Sequence, residues 1–266
     1  MSSTGSFIWY ELMTPDPRSA GRFYGAVVGW HIAERADQDG DIDYRMIRRA
    51  DGGYNGGVLG LTPGMMAQGA RPGWLGYLHV ADLDATVKAI EADGGRLLMP
   101  RKRLPVGDIA LVTDPMGTPF YVMAPIPPPE RPDARSDVFH PAAAQHVRWN
   151  ELASSDQSRA EQFYSKHFGF AFTERMPMGA LGSYDFIDHG GIRLGAILQR
   201  RPQQPNDGWL FYFGVPSVLA AKEAIERGKG KVIAGPHPVP GGDWIIIAAD
   251  PQGATFGVVG PQGAGA

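Results

Sequence analysis

The residues best suited to chemistry form a short pattern that occurs twice, a tryptophan followed two positions later by a glutamate. Trp9 and Glu11 form the first copy, and Trp149 and Glu151 form the second, 140 positions later. A carboxylate beside an indole in a partly enclosed pocket is expected to have its pKa raised by desolvation, which suits an acid or base near neutral pH. An indole can stack on a planar ligand or pack in a core. The first pattern is therefore a candidate binding or acid–base site, and the second is a candidate binding site.

Two further clusters keep the same spacing and indicate a duplicated domain. Phe23-Tyr24 followed by Gly29 recurs as Phe163-Tyr164 followed by Gly169, again 140 positions later. In each half, alternating and helix-like apolar spacings predict two consecutive β-α-β-β-β units. An aspartate that suits a helix N-cap precedes each Phe-Tyr pair, and the glycine suits the left-handed position after the helix.

These units predict an α+β protein with two tandem domains, each a curved, mostly antiparallel eight-stranded sheet with helices outside. The first domain is placed at residues 1–124 and the second at residues 146–260. A linker rich in proline at residues 125–145 separates them, because proline fixes its own backbone and disfavours helix before it. The sequence leaves open whether each domain forms its own sheet or the halves exchange units.

The amino-acid composition and charge of the chain limit the kinds of partner that it can bind. The chain has a net charge of −3, with 43% hydrophobic and 20% charged residues, and no cysteine. Neither half has the positive excess that binding to a nucleic acid needs, and the basic run Arg101-Lys102-Arg103 is predicted to be a solvated loop. The start of the sequence lacks a signal-peptide pattern, and no apolar run is long enough to span a bilayer. We expect a cytoplasmic monomer or homodimer that binds a small molecule, with no nucleic acid or membrane partner.

Strand alternation selects the other side chains that share a sheet face with the two Trp-x-Glu patterns. In the first domain, with Leu12 facing the helix, these additional residues are Tyr77, His79 and Tyr121. In the second domain they are Tyr212, Gly214 and Gly257. The first face would hold an aromatic wall, a carboxylate, an imidazole and two phenols, whereas the second is chemically sparser. Glu11 and His79 are the candidate catalytic residues. Trp9, Tyr77, Tyr121, Trp149, Glu151 and Tyr212 are the candidate ligand-binding residues.

The repeated Phe-Tyr and Gly positions, together with the two Asp-Pro-x-Gly turns at Asp114 and Asp250, resemble the vicinal oxygen chelate superfamily. That superfamily includes glyoxalase I, bleomycin-resistance proteins and extradiol dioxygenases. The resemblance covers nearly all of the chain except the linker and the C-terminal tail. It implies a small-molecule cavity on the concave side of each sheet and, in catalytic members, a divalent metal held by four side chains.

Carrying the four ligand positions over to this sequence gives residues that do not suit a metal. Three of the positions fall on Trp9, Leu75 and Tyr121 in the first domain and on Trp149, Leu210 and Gly257 in the second. The remaining position falls in Asn55–Gly60 or Leu194–Ile197, which contain no histidine or carboxylate. Indole, alkyl and glycine positions offer no donor to a divalent cation, and a neutral phenol is a poor one. No metal or other cofactor is predicted.

Three functions from different classes remain open. The first is a binding protein for a small, planar or apolar molecule, as in the bleomycin-resistance relatives. The second is a metal-independent lyase or isomerase that uses Glu11 as acid or base with His79 or Tyr121. The third is a metal-dependent glyoxalase or dioxygenase, which the ligand positions disfavour. Glu11 could also be a structural hydrogen-bond acceptor, and the shared fold does not decide among these roles.

Overall fold

A computed structural model of the chain describes residues 3–36 and 42–263. These residues form sixteen strands, five α-helices and one short 3₁₀ helix at Gly179–Leu181. The α-helices are α1 Pro17–Val28, α2 Pro63–Ala67, α3 Leu83–Ala92, α4 Gln157–Phe168 and α5 Val218–Arg227. Among the described residues, no helix is long and apolar enough to cross a membrane.

The first domain forms one eight-stranded mixed sheet. Its strands are β1 Phe7–Thr14, β2 His31–Ile32, β3 Tyr44–Arg48, β4 Tyr54–Gly60, β5 Gly73–His79, β6 Arg96–Leu104, β7 Gly107–Thr113 and β8 Pro119–Pro125. They are ordered β2-β3-β4-β1-β5-β8-β7-β6. The pairs β1–β4 and β5–β8 are parallel, and the hairpin pairs β3–β4 and β7–β8 are antiparallel.

The second domain repeats this arrangement. Its strands are β9 Val147–Ser154, β10 Arg175–Pro177, β11 Ser183–His189, β12 Ile192–Gln199, β13 Gly208–Gly214, β14 Lys231–Pro238, β15 Trp244–Ala249 and β16 Thr255–Gly260. They are ordered β10-β11-β12-β9-β13-β16-β15-β14, with β9–β12 and β13–β16 parallel. The predicted fold of two tandem domains with βαβββ units is confirmed. Both units of one domain contribute to the same sheet, which settles the open question of strand pairing.

The first helix of each domain begins and ends as its sequence predicts. The Asp16 side chain accepts a hydrogen bond from Ser19 N, and Asp156 accepts one from Arg159 N. Gly29 and Gly169 close the two helices in the left-handed region, at φ 85° and 68°. The buried residues of α1 include Phe23, Tyr24, Val27 and Val28, so the predicted apolar stripe is the packed face.

The chain also divides into two compact units that draw on both domains. Unit 1 comprises Met1–Trp9, Leu75–Ser136 and Trp149–Trp209, and unit 2 comprises Tyr10–Trp74, Asp137–Arg148 and Leu210–Ala266. Unit 1 thus holds the second βαβββ unit of the first domain and the first βαβββ unit of the second domain. Unit 2 holds the other two.

A tyrosine bridges two βαβββ units at the centre of unit 1. The Tyr164 hydroxyl on α4 donates to Asp114 Oδ2 at 3.3 Å and accepts a hydrogen bond from Trp209 Nε1 at 3.1 Å. Burial raises the pKa of the Tyr164 hydroxyl well above its ordinary value, so the phenol keeps its proton. The Phe-Tyr pair of one domain therefore contacts the Asp-Pro-x-Gly turn of the other.

Unit 2 contains the equivalent bridge. The Tyr24 hydroxyl donates to Asp250 Oδ2 at 3.2 Å and accepts from Trp74 Nε1 at 2.9 Å. Phe256 packs edge-on against the Tyr24 ring, with the ring centroids 5.2 Å apart. The motifs that carried the family resemblance thus form two matched polar contacts inside two aromatic cores.

The proline-rich segment between β8 and β9 forms no helix or named strand, but several of its residues are anchored within unit 2. The buried Arg49 guanidinium pairs with Asp137 at 2.5 Å. The Gln145 amide donates to the Gly29 carbonyl at 2.7 Å and accepts from Ala50 N at 2.6 Å. The neighbouring Val138 is buried. The C-terminal part of this segment is therefore held by specific contacts.

Two local predictions differ from the structure. Arg101-Lys102-Arg103 lies in β6 and not in a loop, although its side chains are exposed as expected. Strand β6 ends the sheet order, and an edge strand tolerates charged residues that sequence patterns assign to loops. Helix α2 was not predicted, because none of its residues is buried and the sequence carries no apolar stripe there. Its start is fixed by Thr62, whose hydroxyl accepts from Met65 N.

Candidate functional site

Trp149, Tyr184 and Glu151 form a hydrogen-bonded triad in unit 1. Trp149 Nε1 donates to the Tyr184 hydroxyl at 2.7 Å, and that hydroxyl donates to Glu151 Oε2 at 2.6 Å. The Trp149 and Tyr184 rings are nearly parallel, at an interplanar angle of 2° with centroids 6.5 Å apart. All three side chains are half-buried. This second-domain triad combines an aromatic surface with a carboxylate.

The strands explain how the triad assembles. Trp149 and Glu151 alternate along β9 and share a face, while Asn150 between them is fully buried and donates to the Leu194 carbonyl. Strand β12 lies between β9 and β11, and its Ala196 is in register with Glu151. On β11 the residue in register with Ala196 is Phe186, and Tyr184 lies two positions before it. Because neighbouring strands are about 4.8 Å apart, Tyr184 reaches Glu151 diagonally across β12.

Donor and acceptor chemistry fixes the direction of the two hydrogen bonds in the triad. An indole N–H can only donate, so the Tyr184 oxygen accepts from Trp149. The single Tyr184 proton then points at Glu151, and a carboxylate only accepts. Both donors of the triad are therefore used inside it. What the triad presents to a ligand is acceptor oxygen and the negative charge of a carboxylate.

Phe186 extends the aromatic surface. Its ring meets Trp149 nearly edge-on, with centroids 6.0 Å apart, and meets Tyr184 at 5.6 Å. The Arg193 guanidinium carbon lies 4.4 Å from the Phe186 centroid, and Arg193 Nε pairs with Asp188 at 3.0 Å. Phe186 thus adds apolar surface beside the triad, and the cation over its ring is ion-paired.

The first domain repeats the residue types of the triad at Trp9, Glu11 and Tyr44, each 140 positions earlier. Within unit 2, Glu11 is 3% exposed and in register with Gly57. A Cβ added to Gly57 would lie 2.1 Å from the Tyr44 hydroxyl, so the phenol occupies the space over this glycine and beside the Glu11 strand. Trp9, in unit 1, is half-buried in β1.

The other predicted tyrosines lie on the parallel strand pairs. In unit 1, Tyr77 and Tyr121 are in register and buried, and their rings stack with centroids 4.2 Å apart. In unit 2, Tyr212 is in register with Gly257, and a Cβ at Gly257 would lie 2.3 Å from the Tyr212 ring. One domain therefore has a phenol pair where the other has a phenol lying over a glycine.

His79 lies at the end of β5. The backbone N–H of His79 donates to the Ser6 carbonyl, and the backbone carbonyl of His79 accepts from Gly5 N, both at 2.9 Å. Partial burial lowers the pKa of the imidazole below its ordinary value, so it is neutral near pH 7. The structure thus places His79 against the N-terminal segment, as a neutral group.

The sequence analysis missed Tyr44 and Tyr184. Their signal was available, because both are tyrosines near the start of the third strand of a unit and they keep the 140-residue spacing of the Trp-x-Glu patterns. Strand alternation along β1 or β9 alone does not reveal a partner that reaches in from two strands away.

The positions at which the resemblance implies metal ligands do not fit a divalent cation. The residues at three positions are Trp9, Leu75 and Tyr121, or Trp149, Leu210 and Gly257, and the strands that would carry the fourth place Gly57 and Ala196 in register with the two glutamates. Trp149 Nε1 already donates to Tyr184 and cannot act as a ligand. Within residues 3–36 and 42–263, no three His, Cys, Asp or Glu side chains cluster as a metal site would require.

Comparison with known protein families identifies the same two-domain fold. The model of the Glyoxalase/Bleomycin resistance protein/Dioxygenase superfamily matches twice, at residues 6–121 and 143–258. The chain belongs to this superfamily. The two matches correspond to the two sheets, so each tandem domain is one copy of the superfamily fold.

Several known proteins are similar to this chain over nearly their full length. "Putative glyoxylase CFP32" of Mycobacterium bovis is 28% identical over 255 residues, covering 95% of this chain and 94% of that protein. "Anthracycline biosynthesis protein DauV" of Streptomyces sp. strain C5 is 28% identical over 275 residues, covering 96% and 93%.

Solved structures support the fold alone, because their sequence identities are low. The 2,3-dioxygenase LapB from Pseudomonas sp. KL28 matches with a TM-score of 0.62 at 16% identity, covering 97% of this chain and 93% of that one. An Mn(II)-bound glyoxalase from Novosphingobium aromaticivorans matches with a TM-score of 0.62 at 15% identity, covering 97% and 83%.

Proposed function

We propose that this protein binds a small planar or apolar molecule against its tryptophan-bearing sheet faces, without the divalent metal of the superfamily's catalytic members. The observation that carries the proposal is the second-domain triad. Trp149, Tyr184 and Phe186 offer aromatic surface, while Glu151 offers a polar group that fixes orientation. Ligand sites in proteins typically combine an apolar wall with a few placed polar groups.

The named relatives support a planar ligand as well. Two of them are called anthracycline biosynthesis proteins, and anthracyclines are fused-ring aromatic compounds. The names of other relatives refer to a glyoxylase. The residues at the ligand positions implied by the superfamily favour binding by stacking over metal chemistry for this chain.

Tryptophan fluorescence tests the proposal. A panel of planar aromatic compounds that includes an anthracycline is titrated into the protein, and at least one compound should quench the fluorescence saturably. Trp149→Phe should weaken the affinity for that compound about threefold to tenfold, because one indole surface is lost. Trp244→Phe removes a tryptophan on β15 of unit 2 and is the matched control. Equal affinities in the two variants would contradict a role for Trp149.

A metal-independent lyase or isomerase is the second candidate. It is favoured by the near-complete burial of Glu11 and by the Tyr44 phenol beside its strand, since a buried carboxylate next to a proton donor suits proton transfer. His79, neutral near pH 7, would be the complementary base.

Glu11→Gln separates the two candidates. A binding protein should lose at most about 1–3 kcal/mol of affinity from one polar contact. An enzyme that uses Glu11 as its base should lose about 100-fold or more in rate on any substrate that it turns over. Conversion of no panel compound by the wild type would leave binding as the function.

A further inference from the structure

The direction of the hydrogen bonds in the second-domain triad restricts the chemistry of the ligand. Trp149 Nε1 has one proton and gives it to Tyr184, and Tyr184 has one hydroxyl proton and gives it to Glu151. The triad therefore has no donor to offer. A ligand group that meets the triad finds a phenol oxygen and a carboxylate, both of which accept.

We propose that the triad selects planar ligands that carry a hydrogen-bond donor, such as a phenolic hydroxyl, over ligands that carry only acceptors or a negative charge. This inference rests on the proposed binding function. A donor on the ligand forms a charge-assisted hydrogen bond with Glu151, and such bonds are among the stronger ones in proteins. An ether oxygen or a carboxylate at the same place would face acceptor oxygens and leave its own hydrogen bonds with water unreplaced.

The residues around the triad do not change its preference for a ligand that donates a hydrogen bond. The Arg193 guanidinium carbon lies 4.4 Å from the Phe186 centroid, and the guanidinium is paired with both Asp188 at 3.0 Å and Glu174 at 2.8 Å. Its charge is therefore compensated by two carboxylates. Asn150, which has amide donors, lies on the same strand but faces the opposite side of the sheet and donates to the Leu194 carbonyl. The face that carries the triad thus favours a donor.

Three probes with the same ring system test the inference by isothermal titration calorimetry. They are 2-naphthol, which carries a donor, 2-methoxynaphthalene, which carries only an acceptor, and 2-naphthoate, which carries a negative charge. All titrations use full-length protein with Glu11→Gln, so that the equivalent carboxylate of the first domain is neutral. We expect 2-naphthol to bind about tenfold or more tightly than either other probe, as expected for one hydrogen bond to a charged group.

Two substitutions test whether the preference for 2-naphthol arises from the triad. Glu151→Gln should bring the affinities for naphthol and its methyl ether within about threefold of each other, because the amide adds a donor and removes the charge. Tyr184→Phe keeps the aromatic ring but removes the acceptor of the Trp149 N–H, so it should strengthen methoxynaphthalene binding and reduce the preference for naphthol. Glu226→Gln, an exposed residue of α5, is the matched carboxylate control and should leave the tenfold preference intact. Circular dichroism checks that each variant is folded.

The outcomes distinguish the inference from the function on which it rests. A preference for naphthol that Glu151→Gln abolishes supports the inference. Equal affinities for naphthol and its methyl ether, or tighter binding of naphthoate, overturn the inference while leaving a planar-ligand site in place. Absence of binding by all three naphthalenes counts against the proposed function itself.

Discussion

The hydroxyl groups of Tyr24 and Tyr164 show how single residues join separate parts of the sequence. Each accepts an indole N–H and donates to an aspartate in a turn more than 40 residues away along the chain. Burial raises the pKa of Asp114 and of Asp250, so the hydrogen bonds to these carboxyl groups offset part of the cost of desolvating them.

Tyr24→Phe should therefore lower the free energy of unfolding by about 1–3 kcal/mol, because it leaves Asp250 and the Trp74 N–H each without one partner. Urea denaturation measures the change. Tyr54→Phe removes a phenol that meets Arg48 at the surface and should cost less than about 0.5 kcal/mol. Equal losses for the two variants would contradict the role of the buried bridge.

Glu161 on α4 is a second residue whose environment has a measurable consequence. Burial, and then the hydrogen bond and the charge of Asp185 beneath it, raise the pKa of Glu161 to about 7, although Arg175 and Gln157 favour its ionised form. Arg175 contacts both carboxyl groups, at 3.3 Å from Glu161 and 3.0 Å from Asp185. The folded protein therefore holds a proton at Glu161 that the unfolded chain releases at lower pH.

The sign of the pH dependence follows from this raised pKa. Stability from protonated Glu161 is present below the unfolded-state pKa and is lost as pH rises through about 7. The difference in unfolding free energy between wild type and Glu161→Gln should shift in favour of the variant as the pH rises from about 5 to about 8. Denaturation at several pH values tests this, and a difference that stays constant would contradict it.

The side chains of the second-domain triad also show which contacts can be predicted from the sequence. Trp149 and Glu151 could be placed on one face because alternation along a single strand decides it. Tyr184 could not, because its diagonal contact with Glu151 depends on the order of β9, β12 and β11 and on the register between these strands. Contacts along one strand can be predicted from sequence, whereas contacts across strands need the sheet order.

At the scale of elements, the helices were the most predictable parts. Helix α1 carries an aspartate cap, a proline in its first turn, an apolar stripe and a closing glycine, and all four signals agree. Helix α2 and the part of β6 at Arg101-Lys102-Arg103 were missed, because these residues are largely exposed and leave no burial pattern in the sequence.

The two closing glycines provide a matched prediction. Both have positive φ, so alanine should cost about 1 kcal/mol at either position through backbone strain. At Gly29 an added Cβ would also lie 2.7 Å from the Gln145 amide nitrogen, whereas at Gly169 the nearest atom of His189 is 3.9 Å away. Gly29→Ala should therefore be more destabilising than Gly169→Ala in urea denaturation. The reverse order would show that the Gln145 contact does not anchor the linker to α1.

At the scale of the whole molecule, duplication was visible in the sequence, and the fold followed from it. The sequence did not show that each Phe-Tyr pair would contact the turn of the other domain, since equal spacing within a repeat is compatible with either arrangement. The structure gives this contact in both unit 1 and unit 2.

The duplicated fold also bears on the proposed function, because the same residue types recur in both domains. Each domain carries tryptophan, glutamate and tyrosine at matching positions, while the positions that would hold a metal carry residues without suitable donors. We therefore infer that ligand binding depends on aromatic stacking and a carboxylate, and is independent of a divalent cation.

Calorimetric titration of 2-naphthol into the wild-type protein tests this claim most directly. One sample is dialysed against a chelator, and the other is dialysed in the same way and then supplied with Mn²⁺. We predict saturable binding with the same Kd in both samples. Binding that occurs only after Mn²⁺ is restored, or that is absent from both samples, would contradict the claim.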